Sequence, residues 1–63
     1  MAIFYRYHFE NTIKNDPNHP LHDELKGNDS IVIYAPSEKD ARRQLKDHVQ
    51  VSERTKLLER KPW

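Results

Sequence analysis

The sequence predicts an α+β domain in which a small three-stranded sheet packs on one helix, in the order strand, long loop, strand, helix, strand. Three observations carry that prediction. Ile3 to Phe9 alternates in the period of a strand, Ile31 to Ala35 is an unbroken β-branched and aromatic run, and Ser37 opens a segment whose apolar residues recur every fourth position.

In the first segment Ile3, Tyr5, Tyr7 and Phe9 share one side of an extended chain, and Phe4, Arg6 and His8 share the other. Aromatic side chains fit a pleated surface well, so this is the first strand. From Asn11 to Ser30 the chain holds Pro17, Pro20, Gly27, four Asn and three Asp, which favour turns over regular structure. Only Ile13, Leu21 and Leu25 can anchor this loop, with room for one helical turn over His22 to Lys26. A connection this long in so small a domain points to a functional or disordered segment.

The second strand, Ile31-Val32-Ile33-Tyr34-Ala35, is bounded by Asp29-Ser30 and Pro36. Directly after it, Ser37 is placed to accept a free helical N–H, and Asp40 occupies the acid position of a capping box. A helix beginning at Glu38 follows, with Ala41, Leu45 and Val49 as its stripe and Lys39, Arg42, Arg43, Lys46 and Asp47 around it. That stripe is narrow, so the helix can cover only one side of a sheet. Ser52 to Lys61 reads either as a second helix or as a strand through Val51, Thr55 and Leu57 or Leu58. The strand is preferred because two strands alone give a weak sheet. Pro62 and Trp63 follow this strand.

Composition narrows the function classes. A domain of this length buries only about 60% of the surface its unfolded chain exposes, so self-association as a homodimer would stabilise it appreciably. The chain has no Cys, which excludes disulfides, thiolate metal sites and thiol nucleophiles. A single glycine, Gly27, excludes the glycine-rich phosphate loops. The segment Met1-Ala2-Ile3-Phe4-Tyr5-Arg6 lacks the basic start and apolar run of a signal peptide, and no stretch reaches membrane-spanning length, so no membrane association and a cytoplasmic location are expected. With few Ser residues and no positioned acid–base pair, no enzymatic activity is expected and no cofactor is implied.

The four histidines raise the question of a metal site. His19 and His22 lie in a proline-broken loop with only Asp23 and Glu24 nearby, and His8 and His48 would need the fold to bring them together. A transition-metal centre needs three or four convergent ligands, so solvated loop histidines explain the pattern better and no metal is expected. Net charge is +1, yet residues 1–36 carry 3 Lys+Arg against 5 Asp+Glu while residues 37–63 carry 8 against 5. The basic second half admits nucleic-acid binding through the helix and an aromatic sheet face. Glu38, Asp40, Asp47, Glu53 and Glu59 are interleaved with those cations, however, which is the pattern of a solvated, ion-paired helix.

If one helix covers one side of the sheet, Phe4, His8, Val32 and Tyr34 are left on the other, where exposed aromatic residues mark interfaces. The partner-contact candidates are therefore Phe4, Arg6, His8 and Tyr34 on the open sheet face, with Arg42, Arg43 and Lys46 as a second, electrostatic group. The strand-to-capped-helix segment Ile31 to Ala41, followed by a basic C-terminal part, resembles small phage-encoded host-takeover proteins. That class includes inhibitors of bacterial RNA polymerase and small anti-CRISPR proteins. The resemblance implies a non-catalytic inhibitor acting in the host cytoplasm, its protein partner a large host enzyme complex on which it occludes a site.

Overall fold

The structure, a computed structural model, describes residues 3–63; Met1 and Ala2, which begin the segment read for a leader, lie outside the described residues. The chain forms strand β1 (Tyr5–Glu10), a 3-10 turn (Ile13–Asn15), a one-turn helix α1 (His22–Leu25), strand β2 (Ser30–Ala35), helix α2 (Glu38–Gln44) and strand β3 (Leu57–Pro62). Helix α2 runs on without a break into a wider π-helical segment, Leu45–Val49. The α+β class and the strand, loop, strand, helix, strand order expected from the sequence are those observed.

The sheet order is β2-β1-β3, and both neighbours run antiparallel to β1. The helix therefore carries the chain from one edge of the sheet to the other across the central strand. Tyr5, Tyr7 and Phe9 face Ala35, Ile33 and Ile31 across the β1–β2 pair. Tyr7, Phe9, Ile31, Ile33 and Ala35 make up the buried core with Ile13, Ala41 and Leu45, and Tyr5, Leu21, Leu25, Val49, Val51 and Leu57 pack around its rim. Leu45 is fully enclosed, which stabilises the fold by about 2 kcal/mol through hydrophobic transfer alone.

Hydrogen-bond parity follows from two contacts at the ends of β1. Phe4 O accepts from Trp63 N–H at 3.3 Å, and Glu10 N–H donates to Lys56 O at 2.9 Å. Even-numbered residues of β1 therefore bond towards β3 and odd-numbered ones towards β2. Pro62 sits opposite Tyr5, so the N–H it lacks would have pointed away from the sheet, which is where an edge strand tolerates proline. The register slips between His8 and Phe9, leaving Leu58 as an extra, exposed residue in β3.

Ser37 caps α2 as expected, its Oγ accepting from Asp40 N–H at 3.2 Å from an extended backbone (φ −149°, ψ 160°). The rod ends at Gln50, whose left-handed backbone (φ 62°, ψ 43°) turns its N–H to Leu45 O; Val51 N–H returns to the same carbonyl at 3.1 Å.

Several boundaries differ from the sequence expectation. Strand β1 starts at Tyr5 and extends to Glu10, not Ile3 to Phe9. β3 starts at Leu57 and includes Pro62, while Val51 and Thr55, expected in it, lie in the preceding turn, where Thr55 Oγ1 donates to Ser52 O at 2.6 Å. The loop from Asn11 to Ser30 contains the expected turn of helix near His22 and, in addition, the 3-10 turn. It is organised by Asn11, which is buried: its Nδ2 donates to Leu25 O (2.8 Å) and Asn28 O (2.9 Å), and its Oδ1 accepts from Ile13 N–H (3.1 Å). One side chain thus ties together both ends of a segment that has little apolar surface of its own.

Candidate interaction surface

Among the described residues, no element covers the side of the sheet away from α2. Alternation along β1 places Phe4, Arg6 and His8 there, and the register adds Tyr34 and Val32 from β2 and Lys61 and Glu59 from β3. Phe4 is 41% exposed, Val32 38% and Tyr34 47%, so this face presents its large apolar side chains to solvent. Four of the predicted contact residues, Phe4, Arg6, His8 and Tyr34, are brought together here.

Trp63 joins them. It lies opposite Phe4, is 74% exposed, and meets the Tyr34 ring edge-to-face at 4.6 Å. Ile3, Phe4, Tyr34, Pro62 and Trp63 together line a wide-mouthed apolar recess of about 720 Å³ at this end of the sheet. Sequence reasoning missed Trp63 because Pro62-Trp63 reads as a chain end. The available signal was the two-residue spacing of Glu59, Lys61 and Trp63, which puts all three on one face once the segment is known to be a strand.

Charge is distributed unevenly over this face. Arg6 is directly opposite Lys61 across the β1–β3 pair, a juxtaposition of like charges that weakens a sheet. Lys61 Nζ has Glu59 at 3.7 Å, but the Arg6 side chain has neither an ion pair nor a hydrogen bond among the described residues, and its Nε is enclosed without a partner. His8 Nε2 is enclosed and unbonded too, while its Nδ1 lies 3.3 Å from Ser30 Oγ.

The second group of candidates lies on the opposite side of the sheet, so Arg42, Arg43 and Lys46 cannot form one site with Phe4, Arg6, His8 and Tyr34. Arg42 is drawn into the fold itself. Its Nε donates to Glu38 Oε2 (2.8 Å), its Nη1 donates to both Glu53 O and Thr55 O (2.8 Å each), and its guanidinium stacks 5.4 Å from the centre of the Phe9 ring. It pins the turn before β3 against the helix. Arg43 and Lys46 are exposed.

The histidines considered for a metal do other things. His19 Nδ1 accepts from Leu21 N–H (3.0 Å), which leaves its Nε2 to donate to Gln50 O (2.8 Å) and so links the long loop to the end of the helical rod. His22 Nδ1 lies 3.5 Å from Asp23 Oδ1. Among the described residues no three His, Asp or Glu side chains converge, and no helix is long and apolar enough to cross a membrane. No protein family, curated protein or solved structure matches this chain.

Proposed function

We propose that this chain is a non-catalytic protein-binding module that presents the open sheet face to a partner. The observation that carries the reading is the uncovered cluster of Phe4, Tyr34 and Trp63 beside Arg6. Exposed Tyr and Trp around an apolar recess, bordered by Arg, is the side-chain mixture that dominates the energetic centres of protein interfaces. The recess walls are hydrocarbon and aromatic, which suits an inserted side chain better than a reaction. The resemblance of Ile31 to Ala41 to phage-encoded inhibitors extends the proposal: the partner is a large host complex in the bacterial cytoplasm, and binding blocks one of its sites.

Affinity capture from bacterial lysate tests this, comparing the native chain with a Tyr34→Ala, Trp63→Ala double variant and an Arg43→Ala, Lys46→Ala double variant. The proposal expects one dominant complex that the first variant loses and the second retains. Recovery by the first variant, or loss by the second alone, would overturn it.

A further inference from the structure

We infer that the open face is built for an acidic peptide segment, one that inserts a large apolar side chain into the recess and places a neighbouring carboxylate on Arg6. The inference rests on the protein-binding reading above and adds the chemistry of the partner.

Arg6 sits near the start of the central strand, part-buried, with its Nε enclosed, no side-chain partner among the described residues, and Lys61 directly opposite. The enclosed Nε loses hydration that nothing replaces, and a facing cation adds repulsion. Arg42 shows the alternative within the same molecule, since it is bonded to a carboxylate and two carbonyls. The arrangement at Arg6 is therefore unfavourable for the isolated fold and becomes favourable when a carboxylate arrives. A guanidinium accepts a carboxylate through two parallel N–H···O bonds, and Lys61 stands ready as a third donor.

Geometry ties this anion position to the recess. Phe4, two residues from Arg6 on the same face, is one wall, and Tyr34, directly opposite Arg6 in the register, is another. Side chains two apart on one strand are about 7 Å apart. An extended peptide with its apolar anchor beside Tyr34 and Trp63 thus brings an acid one to three residues away onto Arg6. A peptide is favoured over single-stranded nucleic acid. The aliphatic corners at Ile3 and Pro62 fit a protruding side chain, and the Tyr34 and Trp63 rings meet at 65° with no shared plane for a base.

The test pans a random dodecapeptide library against the native chain, and measures the enriched peptides against Arg6→Gln, Lys61→Gln and Tyr34→Ala; a thymidine oligonucleotide is titrated in parallel. The expected peptides carry Asp or Glu within three residues of Leu, Phe or Trp. They bind at least tenfold more weakly to Arg6→Gln and to Tyr34→Ala, and measurably more weakly to Lys61→Gln. Arg6→Gln is also expected to melt a few degrees higher than the native chain, which shows that it folds and that the lone cation carries a cost. Peptides lost in Tyr34→Ala but lacking acids and indifferent to Arg6→Gln would overturn the acidic class and leave the protein-binding face standing. Peptides indifferent to all three variants, or no enrichment, would overturn both. Oligonucleotide binding abolished by Tyr34→Ala, with no peptide bound there, would replace both with nucleic-acid recognition.

Discussion

Replacing Asn11 with Ala is expected to cost this domain a third or more of its stability, although it removes only three heavy atoms from a loop. Asn11 is 2% exposed and holds three bonds: Nδ2 to Leu25 O and to Asn28 O, and Oδ1 from Ile13 N–H. A net value of about 1 kcal/mol for each gives a loss of roughly 3 kcal/mol, more if the abandoned carbonyls stay out of water. A domain of this length has on the order of 3–9 kcal/mol in total. The midpoint of a thermal melt followed by circular dichroism should fall by roughly 12–24 °C. Asn11→Asp sharpens the test because it keeps the shape and the acceptor for Ile13. It also points an oxygen where two N–H donors stood, and it buries a charge. It should be at least as damaging as Ala. If both variants lost less than about 0.5 kcal/mol in urea unfolding, as surface substitutions do, the idea that one side chain organises the whole loop would be wrong.

Other perturbations separate structural from interacting residues. Arg42→Ala should lose about 2 kcal/mol in the same melts and Arg42→Lys should recover little of it, because an ammonium cannot reproduce a fork that reaches Glu38, Glu53 and Thr55 together. Arg43→Ala and Lys46→Ala should stay within about 0.5 kcal/mol of the native chain. Gln50→Gly should be neutral or raise stability by up to about 1 kcal/mol, since φ 62° costs glycine nothing, and Gln50→Val should lower it. Tyr34→Ala and Trp63→Ala, at exposed positions, should leave the unfolding free energy from urea titration within about 1 kcal/mol of native; a larger loss would mean the aromatic cluster serves the fold and not a partner.

What was legible in the sequence is what local chemistry encodes. The β-branched run at Ile31 to Ala35 has one good conformation, and Ser37 marks the helix start because its hydroxyl can accept an N–H that the helix leaves free. Alternation along β1 assigned Phe4, Arg6 and His8 to one face and Tyr5, Tyr7 and Phe9 to the other without any knowledge of neighbours. The narrow stripe of α2 already implied that one face would stay uncovered.

Tertiary structure alone decided which residues meet across the chain. β1 is the central strand because its aromatic face is shared by β2, α2 and, through Phe9, Leu57 of β3. Nothing local specifies that order. The roles of Asn11 and Arg42 were hidden for the same reason, since an Asn in a turn and an Arg on a basic helix look like solvated residues until distant carbonyls are brought to them. Trp63 reaches Tyr34 only once β3 pairs with β1, and the opposition of Arg6 and Lys61 exists only in that register. Periodicity sorts side chains by face over a few residues. Pairing between strands some fifty residues apart depends on the summed burial of the whole core, which no short window contains.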